Sequence, residues 1–196
     1  MRILGVDPGS RRTGYGCIET SGSRHRLIVC GAISAPAQAP LPDRLLAVHD
    51  GLAKLLAAHK PDVVALEDLF YARNARSALV LGHVRGALML AAAKAGLPAA
   101  EYSPAEVKQA VVGYGRADKR QVQQMVTLLL GMDAPPSPLD ASDALAVAVC
   151  HAHSIGPTGE RGSRGGGPAR SWRQYRPRET DEAAGVSGRR GRRGTQ

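Results

Sequence analysis

The stretch RILGVDPGS, residues 2–10, is a short apolar segment that stops at an acid and is followed at once by a turn signal. This pattern predicts a β-strand that ends at Asp7, after which Pro8 and Gly9 turn the chain. The segment DVVALE, residues 62–67, repeats the pattern and ends at Glu67. Its continuous apolar run is typical of a strand covered on both faces. The sequence therefore predicts two buried strands that each end in a carboxylate.

The segments around these two strands alternate between strand and helix patterns. Residues 13–20, 25–34 and 97–103 are predicted strands, and helical spacing of apolar residues predicts helices over 43–59, 75–96, 104–112, 119–131 and 140–153. The first three strands can form an antiparallel meander because the loop between the second and third is short. This order predicts an α/β domain with a mixed five-stranded sheet flanked by helices.

The last predicted helix begins with LDASDALAVAV, residues 139–149, which carries two acids on an otherwise apolar segment. Asp140 and Asp143 are three positions apart, so they project from the same side of the helix. Helix capping and the helix dipole would explain either acid taken alone. A turn role beside a proline and a glycine would likewise explain Asp7.

Two adjacent acids end the second buried strand. Asp68 follows Glu67 directly, and successive strand residues point to opposite faces, so only one of them can face a given site. Glu67 is the predicted site residue, because Asp68 is equally well explained as a solvated loop acid. Acids at the ends of the first and fourth strands can meet at the crevice of the sheet.

Several carboxylates in one place require a cation, because the burial of unpaired like charges is costly. Oxygen ligands without a His/Cys cluster favour Mg²⁺, with Mn²⁺ as the alternative. His151 and His153 beside Cys150 are not predicted to bind zinc, because no matching pair occurs elsewhere in the sequence. Two Mg²⁺ ions about 3.5–4 Å apart are suited to hydrolysis of a phosphodiester.

The C-terminal part of the chain has a different composition. Residues 155–196 hold ten Gly, ten Arg and only four acids, so this tail is not expected to order itself, and the predicted domain comprises residues 1–154. The tail can add salt-sensitive DNA affinity or can be a solvated extension.

The charge of the whole chain favours a polyanionic partner. The net charge is +9 and the pI is about 10.0, which favour nucleic acid over a membrane because no basic amphipathic helix is evident. The first residues do not form a signal peptide, and no apolar run approaches the length of a membrane span. Three widely spaced cysteines suit a reducing compartment, so a cytoplasmic protein is expected.

Four motifs together resemble one family. ILGVDPGSRRTGYG, ALEDLFYARNARSALVLGHVRGAL, VKQAVVGYGRADKRQVQQMV and DASDALAVAVCHAH, in this order, closely resemble the RuvC family of crossover junction endodeoxyribonucleases, which resolve Holliday junctions. The resemblance covers residues 1–154 and implies a ribonuclease-H-like fold. It also implies that Asp7, Glu67, Asp140 and Asp143 are the four catalytic carboxylates that hold two Mg²⁺ ions.

The resemblance also assigns residues to DNA. Lys108 and Lys119 match basic residues that contact DNA near the scissile bond, and Phe70 matches an aromatic residue that helps to open the junction. Arg73 and Arg76 add basic character to the segment after Phe70. The alternatives are that Phe70 belongs to the core and that the lysines are solvated surface charges.

The resemblance implies a homodimer that makes paired symmetric cuts, leaves 5′-phosphate and 3′-hydroxyl ends, and works with the RuvA and RuvB branch-migration proteins. A two-fold dimer places one site on each of two strands. Leu79, Leu81, Val84 and Leu88 are the predicted dimer interface, since they exceed what one core face needs.

Two other functions fit part of the sequence. A catalytically silent junction-binding protein would gain nothing from four carboxylates that repel phosphate. An actin-like ATPase shares a strand, an acid and a Gly-rich turn, but it needs a second such lobe, which this sequence lacks.

Overall fold

The computed structural model describes residues 1–36, 38–68 and 74–155. The strands are Arg2–Asp7 (β1), Arg12–Ser21 (β2), Arg24–Ser34 (β3), Val63–Glu67 (β4) and Ala99–Tyr102 (β5). The helices are Leu41–His59 (α1), Ala75–Lys94 (α2), Pro104–Val112 (α3), Lys119–Leu129 (α4) and Leu139–Ser154 (α5). The predicted tail lies outside the described residues, except for Ile155.

The five strands form one sheet in the order β3-β2-β1-β4-β5. β1, β2 and β3 are an antiparallel meander, whereas β4 pairs in parallel with both β1 and β5. The predicted mixed five-stranded sheet flanked by helices is therefore confirmed. Because β1 and β4 are parallel neighbours, their carboxyl ends lie at the same edge.

The two faces of the sheet carry different helices. Residues of β1 alternate between two hydrophobic cores: Ile3 packs in one with α3, α4 and α5, and Leu4 packs in the other with α1 and α2. This alternation follows from the two-residue repeat of a strand. Both faces of the central strands are covered, which explains why β1 and β4 are continuous apolar runs.

Helix α5 is buried on nearly all sides. From Ala144 to Cys150, every residue is at most 1% exposed. The helix packs against β1 and β2 on one side and against α3 and α4 on the other. An apolar composition around the whole circumference is what such a central position requires.

Helix α2 has one face that packs against the core and one face that is exposed. Two of the four residues predicted at the dimer interface lie on the buried face. Val84 and Leu88 are 2% and 0% exposed, and they pack in the core with α1 and the sheet. Their assignment to a dimer interface is therefore wrong, because the face they share is needed within the chain. Leu79 and Leu90 are 65% and 56% exposed and lie on the outer face. Leu81 is half-buried.

Within the described ranges, no helix combines the length and the apolar character needed to cross a membrane. Cys17, Cys30 and Cys150 form no disulfide bond in the described part of the chain, and the first and last of them are buried. Burial raises the pKa of the Cys17 thiol to about 11, which makes it unreactive at neutral pH.

Candidate active site

Asp7 and Glu67 meet at the carboxyl edge of the sheet. Val6 pairs with Leu66 in the parallel register of β1 and β4, so the next residue on each strand is one of these two acids. Both acids are half-buried, and their side chains share a hydrogen bond. The two predicted strand-end acids are therefore direct neighbours in the structure.

The electrostatics of this pair favour the protonated form. The pKa of Asp7 is raised well above its usual range, first by burial, then by the charge of Glu67 and the hydrogen bond to it, and then by the charge of Asp143. Burial is also the main reason why the pKa of Glu67 is raised. Without a cation, these two carboxyl groups therefore bind a proton more readily than isolated carboxyl groups do.

The start of α5 lies against the end of β1 because two glycines allow it to approach. A Cβ atom on Gly14, the cross-strand partner of Asp7, would lie 2.0 Å from the backbone oxygen of Asp140. A Cβ atom on Gly5 would lie 2.0 Å from the backbone oxygen of Ala144. Any larger residue would push the helix away from the sheet and would move its two acids away from Asp7.

The acids of α5 do not cap their helix. Pro138 occupies the N-cap position, and no side chain makes a cap hydrogen bond there. The capping alternative for Asp140 and Asp143 therefore has no support, although both still lie near the positive end of the helix dipole. The structure brings Asp143 within electrostatic range of both Asp7 and Glu67. Asp140 is half-buried one turn earlier, beside Gly14.

Lys119 supplies a positive charge to this acid cluster, which we define as Asp7, Glu67, Asp140 and Asp143. The Lys119 ammonium group donates a hydrogen bond of 2.6 Å to Asp143, and this bond is the main reason why the pKa of Lys119 is raised. A capping box formed by Asp118 and Gln121 begins α4 at Lys119 and so fixes its backbone. The Lys119 side chain is still 67% exposed.

A cleft of about 240 Å³ opens beside the acid cluster. Its lining includes Glu67 and Asp143 as well as Lys108 and Lys119. The positive charges of both lysines partly offset the rise in the pKa of Glu67. Lys108 lies on α3 and is half-buried. The cleft therefore places phosphate-binding side chains next to carboxylates.

The donor set suits a hard divalent cation. All four acids offer oxygen ligands, which Mg²⁺ prefers. Burial first, and the negative charge of neighbouring acids after it, raise the pKa values of Asp7 and Glu67, and a bound cation would offset both effects. In the present side-chain arrangement, no three acid, imidazole or thiol groups of the described residues are placed to hold one metal ion. Coordination by Asp143 would therefore require its carboxylate to turn away from Lys119.

A second charged cluster lies on the other face of β4. Arg85 of α2 forms ion pairs with Glu101 of β5 and, at 3.4 Å, with Asp68. The backbone N–H of Asp68 also donates to the carbonyl of Tyr102, which joins the end of β4 to β5. Glu67 and Asp68 thus face opposite sides, as the strand repeat predicts. Sequence reasoning missed Arg85 and Glu101; the signal was a glutamate inside an apolar strand.

Of the predicted DNA-contacting residues in the segment after β4, only Arg76 is described. It lies exposed in the first turn of α2, which begins with a cap hydrogen bond from the Ser77 N–H to the Asn74 side chain. Phe70 and Arg73 lie outside the described residues.

Comparison with known proteins gives a consistent result. The family model for crossover junction endodeoxyribonuclease RuvC matches residues 3–151. The protein of that name from Syntrophotalea carbinolica is 58% identical over 153 residues, which cover 78% of this chain and 94% of the relative. The one from Halorhodospira halophila is 55% identical over 152 residues, covering 78% and 90%.

Solved structures agree with the sequence relatives. Thermus thermophilus RuvC superposes with a TM-score of 0.73 at 35% identity, covering 79% of this chain and 95% of that one. The T. thermophilus RuvC complex with a Holliday junction substrate gives a TM-score of 0.77 at 34% identity, covering 81% and 96%. The yeast mitochondrial Holliday junction resolvase Ydc2 has a TM-score of 0.55 at 15% identity over 76% of each chain, so it shares the fold.

Proposed function

This chain belongs to the RuvC family of crossover junction endodeoxyribonucleases, and we propose from that premise that it resolves four-way DNA junctions with the acid cluster as its catalytic centre. It cuts two strands of the junction symmetrically by hydrolysis of a phosphodiester bond in each. The products carry 5′-phosphate and 3′-hydroxyl ends. The biological setting is homologous recombination and DNA repair.

The observation that carries this proposal is the convergence of acids from three elements at one edge of the sheet. Asp7 ends β1, Glu67 ends β4, and Asp143 reaches both from α5. Such a concentration of negative charge beside a cleft opposes DNA binding unless cations occupy it. Its presence in a DNA-processing protein therefore favours metal-dependent chemistry over simple binding.

Asp7, Glu67, Asp140 and Asp143 would hold two Mg²⁺ ions, and Mn²⁺ could replace them because it accepts the same oxygen ligands. When bound, the two ions supply an activated water and stabilise the charge on the leaving oxygen. Asp7 is central to the ligand set, because it lies between Glu67 and the start of α5. Its carboxyl group must lose its proton for this role, so metal binding and deprotonation are linked.

The lysines of the cleft position the DNA backbone. Lys108 and Lys119 share the lining of the cleft with Glu67 and Asp143. A phosphate held there by the two ammonium groups would lie directly beside the acid cluster. Release of Lys119 from Asp143 would free the ammonium group for phosphate and the carboxylate for metal in one movement.

The segment between β4 and α2 reaches the branch point of the junction. Phe70 stacks on an unpaired base, and Arg73 and Arg76 hold nearby phosphates. Arg76 is exposed at the start of α2, directly after this segment, which supports its access to DNA. The 155–196 tail adds non-specific affinity through its ten arginines.

The protein acts as a homodimer through the outer face of α2. Leu79 and Leu90 are exposed there, and Gly82 and Gly86 between them leave open space where a Cβ atom would lie. Exposed leucines and small residues at helical spacing suit close packing against the same helix of a second copy. RuvA and RuvB are proposed as partners by resemblance. The cytoplasm is proposed as the location because DNA is the substrate and the three cysteines of the described residues form no disulfide bond.

The test is cleavage of a labelled mobile four-way junction beside a linear duplex of the same sequence, with Mg²⁺ and with EDTA. We expect paired nicks in the junction alone, only with Mg²⁺, and end-labelling should identify 5′-phosphate and 3′-hydroxyl termini. Tight junction binding without cutting at any metal or junction sequence would support the silent binding protein instead. Equal cutting of the duplex would contradict junction selectivity.

A further inference from the structure

Two histidines far apart in sequence meet at the end of α5 opposite to its acids. His25 lies on β3 and His153 on α5, and their Nε2 atoms are 3.3 Å apart. The ring centroids are 5.3 Å apart, and the ring planes are inclined by 51°. His25 is half-buried, and His153 is exposed.

The other nitrogen of each ring is already engaged. His153 Nδ1 lies 3.1 Å from the carbonyl oxygen of Ala110, which can only accept, so Nδ1 carries the proton and donates it. His25 Nδ1 lies 3.0 Å from the hydroxyl oxygen of Thr20, which can accept in the same way. In that tautomer, neither Nε2 atom carries a proton, and the two unprotonated nitrogens lie 3.3 Å apart. Metal-bound histidines typically have this arrangement, with the second N–H held by a protein oxygen.

The spacing of the two nitrogens matches a tetrahedral metal ion. Zn²⁺ binds imidazole nitrogen at about 2.0–2.1 Å, which places two such ligands roughly 3.3–3.4 Å apart at a tetrahedral angle. We propose that His25 and His153 bind one Zn²⁺ ion through their Nε2 atoms, with solvent in the remaining positions. The two nitrogens distinguish this site from the acid cluster, because imidazole suits zinc whereas carboxylate oxygens suit Mg²⁺.

The proposed site would link separate elements of the fold. The ion joins the β2–β3 hairpin to α5, and the hydrogen bond from His153 to Ala110 extends the link to α3. The site would therefore restrain the C-terminal end of α5, the helix that carries Asp140 and Asp143 near its N-terminal end.

The test is calorimetric titration of the full chain with Zn²⁺ in saturating Mg²⁺, which keeps the acid cluster occupied. Wild type is compared with His25→Ala and His153→Ala. The matched control is His83→Ala, an exposed histidine on α2 whose Nδ1 contacts its own helix at Leu79. The 155–196 tail contains no His or Cys, so it offers no nitrogen or sulfur side-chain ligand. Circular dichroism in EDTA verifies that each variant is folded.

We expect one Zn²⁺ ion per chain in wild type and in His83→Ala. The affinity for Zn²⁺ should be at least about tenfold weaker in His25→Ala and in His153→Ala, because even the loss of a group that only orients a metal ligand weakens metal binding by that factor. Cu²⁺ in the same site should give an electron paramagnetic resonance signal with coupling to two imidazole nitrogens. Equal Zn²⁺ affinity in all four proteins, or no Zn²⁺ bound by wild type, would overturn the proposal. The two rings would then be joined by a shared proton. No step of this test depends on DNA cleavage.

Discussion

Two clusters of acids lie on opposite faces of the end of β4, and they are neutralised in different ways. On one face, Asp68 and Glu101 share the guanidinium group of Arg85, which is 15% exposed in its side chain. On the other face, Asp7 and Glu67 share a hydrogen bond, and the nearby ammonium group of Lys119 bonds to Asp143 from a side chain that is 67% exposed.

In the proposed function, this difference corresponds to a structural role for the Arg85 cluster and a catalytic role for the acid cluster. The ion pairs of Arg85 with Asp68 and Glu101 link α2 to the ends of β4 and β5. In the acid cluster, the cation Lys119 is 67% exposed in its side chain, and the pKa values of Asp7 and Glu67 are raised. Glu67 and Asp68, adjacent residues at the end of one strand, thus have different neighbours because they face opposite sides of the sheet.

The largest expected effect distinguishes the two clusters by activity. Asp7→Asn should lower junction cleavage by about 10³-fold or more, because ligands of one metal centre act as a unit. Junction binding should be unchanged or tighter, since a negative charge is removed. Asp68→Asn is the matched control, and its cleavage should stay within about tenfold of wild type. Single-turnover cleavage and gel-shift binding measure both, and equal losses in the two variants would remove the distinction between the clusters.

The next effect distinguishes the clusters by stability. Arg85→Ala removes a largely buried cation that forms ion pairs with both Asp68 and Glu101, so unfolding in urea should show a loss of about 3–5 kcal/mol. Arg76→Ala, on the exposed first turn of the same helix, should change the free energy of unfolding by less than about 0.5 kcal/mol. Similar values for both arginines would mean that the buried ion pairs do not hold this end of the sheet.

A smaller effect concerns pH. The raised pKa values of Asp7 and Glu67 contribute stability below their ordinary values of 3.8 and 4.5, and this contribution is lost as pH rises through the higher folded values. In EDTA, wild type should therefore lose stability relative to Asp7→Asn as pH rises from 4 to 8. Addition of Mg²⁺ should restore the lost stability of wild type, and the gain should be largest at the higher pH. Urea unfolding measures the free energy of unfolding of both proteins. A difference between them that is constant with pH would contradict the raised pKa values of Asp7 and Glu67.

The smallest effect concerns Lys119, the exposed cation beside the acid cluster. Lys119→Met should change the free energy of unfolding by less than about 1 kcal/mol, because the lysine side chain is 67% exposed. It should weaken junction binding and reduce the slope of log K against log salt by about one, as expected for one lost phosphate contact. Lys94→Met, at the end of α2, should leave the slope unchanged. Equal slopes for the two variants would exclude Lys119 from the DNA interface.

The sequence predicts the fold well because each element has a local signal. Strands β1 and β4 are apolar runs that end in acids, and α5 is a helix with two acids at its start. The two-residue repeat of a strand is enough to predict that Glu67 and Asp68 face opposite sides of the sheet. The parallel pairing of β1 with β4 is what turns these local signals into a cluster.

The sequence does not predict contacts that depend on how distant elements pack. Arg85 and Glu101 are 16 positions apart, Lys119 and Asp143 are 24 apart, and His25 and His153 are 128 apart. Helical spacing also cannot tell which face of α2 turns inward, and for this reason Val84 and Leu88 were assigned to the wrong surface. Each of these features depends on the sheet order and on how a helix packs against the sheet, which no single segment encodes.

The most direct test of the metal role of the acid cluster is cleavage of a mobile junction by wild type and Asp7→Cys, each in Mg²⁺ and in Mn²⁺. A thiolate is a poor ligand for Mg²⁺ and a better one for softer ions. If Asp7 holds the ion, Asp7→Cys should be inactive in Mg²⁺ and regain part of its cutting in Mn²⁺, whereas wild type should cut in both and stop in EDTA. Cutting near the wild-type rate by Asp7→Cys in Mg²⁺, or wild-type cutting in EDTA, would contradict the account.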